Sequence, residues 1–197
     1  MSQEAKINLK IIVASTRQNR FSQYPAGWLY EEAKKLAGIE VELLDLRDYD
    51  LPFFNEPISP SMAQGDYTNE LVARWAKKIA EADAYLVVTP EYNHGYSAIL
   101  KNAFDHIYKE WNNKPIGFLS YGSVGGARSV EQLRQVAIEL QMAPIRNAVH
   151  ISSPWLLLEA NGQLKPGSFD SLKENAERLF NQLVWWAKAL KTARQSK

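Results

Sequence analysis

The sequence predicts an α/β fold of the doubly wound kind, a mainly parallel sheet with helices on both faces, and three observations carry that prediction. Short apolar, β-branched runs alternate five times with longer stretches in which apolar residues recur every three to four positions. The short runs are apolar on both of their faces, as in strands covered from two sides. Parallel strands that follow one another need right-handed crossovers, and these set the helices on both faces of the sheet.

The first strand is Ile7 to Ala14, INLKIIVA, which ends at Ser15-Thr16. A polar turn leads from about Ser22 into a helix carrying Trp28, Leu29, Ala33, Leu36 and Ala37, which Gly38 ends. Val41 to Leu46 is the second strand, and Leu71, Val72, Trp75 and Ile79 mark the second helix. Ala84 to Thr89 is the third strand, followed by a helix through Leu100, Phe104, Ile107 and Trp111. Ile116 to Tyr121 is the fourth, followed by a helix with Val130, Leu133, Val136 and Leu140. Ile145 to Ile151 closes the sheet, and the last helix carries Leu172, Ala176, Leu179, Leu183 and Leu190. Two connections exceed the usual length: Arg47 to Asn69, with Pro52, Pro57 and Pro60 around Phe53 and Phe54, and Ser152 to Ser168, with an Asn161-Gly162 turn. Loops of that length are usually functional.

A chain of 197 residues can hold a full hydrophobic core as one domain, and no repeat or linker divides residues 1–197. Hydrophobic residues at 46% and charged residues at 23% describe an ordinary globular protein. A net charge of +1 is too balanced for a nucleic-acid binder. The absence of cysteine removes disulfides, thiolate nucleophiles, thiolate-held zinc and iron–sulfur clusters, so redox chemistry would need a cofactor. The polar start, Met1 to Lys6, and the lack of any run of about 18 apolar residues speak against a signal peptide and a membrane span. A cytoplasmic protein is expected.

In open parallel sheets ligands bind beyond the carboxyl ends of the strands. The turn after the first strand, Ser15-Thr16-Arg17-Gln18-Asn19-Arg20-Phe21-Ser22, sets hydroxyls and two guanidinium groups just before a helix. Free N–H groups and the positive end of the helix suit an anion there, and each charge-assisted hydrogen bond is worth roughly 1.5 to 3 kcal/mol. A capped helix start beside a solvated arginine would leave the same residues. No G-x-G-x-x-G follows the first strand, and no G-x-x-x-x-G-K-[ST] occurs anywhere, so a single phosphate fits better than a dinucleotide or a triphosphate.

The turn after the third strand is Pro90-Glu91-Tyr92-Asn93-His94-Gly95-Tyr96-Ser97. Its backbone polar groups and flanking aromatic residues suit a planar polar heterocycle, while Ser97 is expected to cap the next helix. The turn after the fourth strand, Tyr121-Gly122-Ser123-Val124-Gly125-Gly126, carries three glycines, which let backbone approach a ligand closely.

Together the S-x-R pattern at Ser15 to Arg17, PEYNHGYSAILKNAFDH from Pro90 and SYGSVGGARSVEQLR from Ser120 resemble the flavodoxin-like NAD(P)H-dependent FMN reductases, a group that includes quinone, azo-dye and chromate reductases. The resemblance runs from about Leu9 to Ile151 and implies the strand order 2-1-3-4-5. It implies FMN, with its phosphate held by Ser15, Arg17, Arg20 and Ser22 beside Phe21. Pro90, Glu91, Tyr92 and Asn93 would meet the isoalloxazine edge, and Tyr121, Gly122, Ser123, Gly125 and Gly126 would close over the pyrimidine side. His94 and Tyr96 would line the substrate side, against the alternative of plain loop residues, and for His94 a polar rim residue is favoured over a proton donor. The implied reaction is a two-step exchange: hydride passes from NADPH or NADH to FMN and then to a quinone, flavin or azo acceptor, with no obligatory side-chain nucleophile. Ala14 and Ala98 stand where the family often has glycine, which would narrow the phosphate turn and the helix start.

Two competing functions share the fold. A one-electron carrier is expected to be strongly acidic, unlike this chain. A signalling receiver needs acidic residues at the end of the first strand, where Ala14 to Arg17 offers none. Asp105, His106 and Glu110 are read as a solvated helix face and not as a metal site. A homodimer or homotetramer is expected, with the stripe Phe104, Ile107, Tyr108 and Trp111 as a contact candidate of which at least half is expected to pack in the core, and the loop around Phe53 and Phe54 as a second candidate for lid or interface. The basic end Lys188, Lys191, Arg194 and Lys197 is read as the usual positive C-terminus of a helix.

Overall fold

The computed structural model describes residues 6–63 and 65–196. Five strands, β1 (Ile7–Val13), β2 (Ile39–Asp45), β3 (Ala84–Pro90), β4 (Pro115–Gly122) and β5 (Ala143–Ser152), form a parallel sheet in the order β2-β1-β3-β4-β5. That is the expected order. The helices are α1 (Gln23–Lys34), α2 (Glu70–Ala80), α3 (Ala98–Asp105), α4 (Ala127–Glu139) and α5 (Lys173–Gln195).

The two-residue period of the strands divides the core into two clusters. Ile7, Leu9, Ile11 and Val13 of β1 join Ala26 and Leu29 of α1 and Leu179 and Leu183 of α5 on one face. On the other, Ile12, Val87 and Phe118 join Trp75 of α2, Phe104 of α3 and Leu133 of α4. Fully burying side chains of this size contributes roughly 1.5 to 3 kcal/mol each, so this packing dominates the stability. Trp75 also donates from Nε1 to the Ala103 carbonyl at 2.9 Å, which joins α2 to α3.

Local chemistry sets the element ends. Asn69 caps α2, its Oδ1 accepting from Leu71 N at 2.9 Å. The first helix stops at Lys34 rather than running to Gly38, because Lys35 and Leu36 N–H groups reach back only three residues and tighten the last turn. Gly38, with φ 75°, then reverses the chain into β2. Leu172 lies in a 3-10 turn before α5 rather than within it.

The third helix also ends early, at Asp105, and Ile107 and Trp111 lie beyond it. Trp111 anchors this segment, with its ring centroid 4.9 Å from Tyr85, 5.0 Å from Phe104 and 5.9 Å from Trp75. Phe104, Ile107 and Trp111 are therefore buried core and not a subunit contact. Nor do Asp105, His106 and Glu110 form a solvated face. His106 and Glu110 are buried, bonded to the Pro52 carbonyl at 2.7 Å and the Tyr67 hydroxyl at 2.8 Å, and Asp105 pairs with Lys101.

The long connection after β2 is anchored by Asn102, which accepts from Phe54 N at 2.9 Å and donates to the Pro52 carbonyl at 2.8 Å. The other long connection folds back through a bridge between Leu158 and Leu164 around Asn161 and Gly162, the expected turn. At the chain's basic end, Lys191 and Arg194 both bind Asp83, at 2.7 and 2.9 Å, so one carboxylate within the fold offsets part of their charge. Lys197 lies outside the described residues, as do residues 1–5 of the polar start. Among the described residues no helix is long and apolar enough to cross a membrane.

Candidate functional site

The strand order sets the ends of β1, β3 and β4 side by side, and three cross-links join the turns after β1 and β3. Ser15 Oγ lies 2.7 Å from the Tyr92 hydroxyl, joining the first turn to the second. The Arg17 guanidinium stands 5.8 Å over the Tyr92 ring. The cap expected of Ser97 is not made; its hydroxyl donates instead to the Ala14 carbonyl at 2.6 Å. The backbone tolerates Ala14 and Ala98, since Ala14 N bonds Val88 O at 2.9 Å within the sheet and Ala98 is exposed on the first turn of α3.

In the first turn the two arginines differ. Arg17 is exposed, its charge open to a ligand, whereas Arg20 is buried and bidentate on Asp45. Arg20 Nη1 also donates to the Ser15 carbonyl at 2.6 Å. The hydrogen bond to Asp45 raises the Arg20 pKa. Burial alone would lift the Asp45 carboxyl, but Arg20 and the Arg47 N–H hold it below the usual range. Arg47 also donates to the Arg17 carbonyl, so the end of β2 braces the first turn through two residues. Sequence reasoning missed Asp45 and Arg47. Their signal was available: in the order 2-1-3 the end of β2 lies beside β1, and Val13 is in register with Asp45.

Phe21 serves the site through packing, with its ring 5.1 Å from Tyr121 and 6.5 Å from Phe169. The Tyr121 hydroxyl faces Ser22 and Ser15, and burial pushes its pKa up to about 12 against the pull of those hydroxyls. It stays a neutral donor at physiological pH.

In the second turn Asn93 and His94 occupy the two central positions of a tight hairpin, with φ 48° and 73°, closed by Tyr92 N to Gly95 O at 2.8 Å. Two consecutive positive values mark a type I′ geometry. It leaves both side chains exposed, while Tyr96 is half-buried against the α2–α4 core. The carboxylate and N–H of Glu91 both have partners within the fold. Its N–H donates to Tyr121 O at 2.9 Å, and its buried carboxylate binds Arg128 and accepts from Arg128 N at 3.2 Å. The residue expected at the flavin edge thus steadies the start of α4.

The third turn needs its glycines. A Cβ at Gly126 would stand 2.7 Å from Ser120 Cβ and 2.8 Å from Tyr121 N, and at Gly125 3.0 Å from His150 Cβ, with φ 74° at both. Ser120 and His150, also missed in the sequence, approach the turn from behind.

These residues fit an FMN. Arg20 Nε and Ser22 Oγ are buried beside the first turn with no hydrogen-bond partner, although Tyr121 faces Ser22. The N–H groups of Thr16 to Asn19 find no carbonyl acceptor among the described residues. A phosphate answers all of these donors together. In the third turn Ser123 and Val124 N–H are likewise without a carbonyl partner and suit the polar edge of the ring.

Comparison with known proteins agrees with this geometry. Residues 7–155 match the family described as NADPH-dependent FMN reductase. An NAD(P)H-dependent FMN reductase of Schizosaccharomyces pombe is 43% identical over 148 residues, 73% of this chain and 74% of that protein. A potato (Solanum tuberosum) NAD(P)H:quinone oxidoreductase is 34% identical over 140 residues, 69% of this chain and 65% of that one. In fold, the flavoenzyme NAD(P)H:(acceptor) oxidoreductase FerB of Paracoccus denitrificans superposes with a TM-score of 0.72 at 23% identity, covering 93% of this chain and 98% of that chain. The chain belongs to the NADPH-dependent FMN reductase family, oxidoreductases whose cofactors are FMN and a reduced nicotinamide nucleotide.

Proposed function

We propose that this protein is an NAD(P)H-dependent, FMN-containing reductase of quinones, flavins or azo compounds that works by a ping-pong exchange. The observation that carries the reading is the joined set of three turns with unanswered donors, Arg20 Nε, Ser22 Oγ and the N–H groups of Thr16 to Asn19 on one side and Ser123 and Val124 N–H on the other. Bound FMN supplies the centre that accepts and returns hydride. The chain's residues do the rest. Ser15, Ser22 and the first-turn backbone hold the phosphate, Arg17 supplies the open positive charge, and Arg20 contributes its Nε–H while Asp45 balances its charge. Pro90, Tyr92 and Asn93 border the ring, and the third turn donates to its pyrimidine side, where reduction develops negative charge. His94 and Tyr96 border the face left for the nicotinamide and then the acceptor.

Initial rates at varied NADPH and quinone test the exchange. Parallel double-reciprocal lines are expected; intersecting lines would overturn it. An inactive flavin-loaded protein would point to an electron carrier, which the net charge of +1 disfavours.

We also infer a cytoplasmic homodimer or homotetramer. Phe53, Ile58 and Met62 stand exposed on the loop after β2, and Val124, Trp155 and Leu156 stand exposed near the third turn. Under that loop, and lined by none of the three turns, is a cavity of about 220 Å³ bounded by Phe54, Ile58, Tyr67 and His106. A monomer by light scattering at micromolar concentration with full turnover would overturn the assembly.

A further inference from the structure

The carbonyl of Gly125 is gripped from behind by two side chains that belong to neighbouring strands. Ser120 of β4 is fully buried and in register with His150 of β5. Ser120 Oγ lies 2.7 Å from Gly125 O and 2.8 Å from His150 Nδ1, and that nitrogen is itself 3.3 Å from Gly125 O. The Ser120 hydroxyl has one proton for two neighbours. If Nδ1 carried no proton, the hydroxyl could serve either the imidazole or the carbonyl, and a ring lone pair would face a carbonyl oxygen. With a proton on Nδ1, the ring donates to Ser120 and toward Gly125 O, the hydroxyl donates to the carbonyl, and every group is satisfied. The Nδ1–H form is therefore the one that satisfies all three groups at once.

The grip matters because other bonds hold the ends of the turn, Ser153 N to Gly122 O at 2.9 Å and Val130 N to Gly126 O at 3.2 Å, and leave the peptides between them to it. Gly125 and Gly126 both hold φ near 74°, and glycine peptides can rotate where other residues cannot. The backbone bond within the turn is the long one from Gly125 N to Gly122 O at 3.2 Å. We propose that His150 is a positioning residue for the flavin: its Nδ1–H, together with Ser120, pins the Gly125 carbonyl and so orients the preceding Ser123 and Val124 N–H donors toward the ring. This rests on the flavin reading above.

Two measurements test it. Imidazole nitrogen NMR on the flavin-free protein, in which three histidines are readily told apart by comparison with His150→Leu, reports the tautomer. Fluorescence titration with FMN then compares wild type, His150→Leu and His150→Asn, whose Nδ2 stands where Nδ1 stood. The expected results are an Nδ1–H spectrum, an FMN Kd raised about tenfold in His150→Leu and one within about threefold of wild type in His150→Asn, as loss and retention of one hydrogen bond require. An Nε2–H spectrum, wild-type affinity in His150→Leu, or equal weakness in both variants would overturn the proposal. Wild type that takes up no FMN would overturn it as well, and an Nδ1–H spectrum in that case would place the failure in the flavin reading rather than in the grip.

Discussion

The Arg20 guanidinium meets both oxygens of the Asp45 carboxylate across the ends of β1 and β2, with side chains only 7% and 25% exposed. The pair joins two strands and shapes the turn that follows the first of them.

Removing the carboxylate would strand a buried cation. Asp45→Asn is expected to destabilise the fold by about 3 kcal/mol, read from the urea midpoint, and the double variant Asp45→Asn/Arg20→Met to recover part of that loss. Because the folded carboxyl titrates below its ordinary value, the stabilisation it gives is complete above about pH 4 and fades as pH falls further. A wild-type acid transition unchanged by Asp45→Asn would refute the link.

Arg17 should behave oppositely, since it is exposed and its guanidinium contact is the Tyr92 ring. Arg17→Ala is expected to leave the melting temperature within a degree or two while weakening FMN about tenfold, a loss of roughly 1.5 kcal/mol. The weakening should shrink at high salt, because added ions already screen the wild-type contact. Titrations at low and high ionic strength decide the matter.

Lys114 gives an alkaline signature. Its ammonium is buried at the end of α2, bonded to the Ile79 and Ala80 carbonyls at 2.9 and 3.0 Å and to the Tyr85 hydroxyl at 3.1 Å. Burial, aided by Arg194, pulls its pKa down to about 7. Between there and the ordinary lysine value near 10.4 the unfolded chain binds the extra proton, so stability must rise with pH. The stability of wild type relative to Lys114→Met should rise by up to about 1.4 kcal/mol per pH unit from pH 7 to 10. Parallel stability curves would contradict it.

Two glycines separate backbone need from backbone freedom. Gly126→Ala would drive a methyl into Ser120 and the Tyr121 N–H at a left-handed φ, and is expected to cost about 2 kcal/mol or more together with FMN affinity. At Gly27, within α1, an added methyl would meet nothing within 4 Å, and Gly27→Ala is expected to raise stability by about 0.5 to 1 kcal/mol. Thermal melts of the two variants should shift in opposite directions.

The fold was legible because the strands alternate between two burial faces and the helices keep a stripe, so periodicity alone separates Ile7, Leu9 and Ile11 from Ile12. Helix ends were less so. Trp111 keeps an i, i+7 relation to Phe104 that mimics a longer α3, yet its burial comes from three rings brought in by other elements. In the site, the three turns could be read because serine, arginine and glycine clusters follow the strands directly. Asp45, Arg47 and His150 escape a linear reading, because their meaning arises from lateral neighbours that only the strand order brings in, and a linear reading of charge gives Arg20 and Arg17 the same role.

The Ser97 hydroxyl on the Ala14 carbonyl, with Ser15 on Tyr92 beside it, ties the first two turns to each other. A fluctuation that lifts the mouth of β1 must also loosen the entry to α3, so their amide protons should exchange with solvent in concert rather than loop by loop. Grip on the tail of a bound nucleotide and access to its ring would then be coupled through the resting scaffold before any ligand arrives.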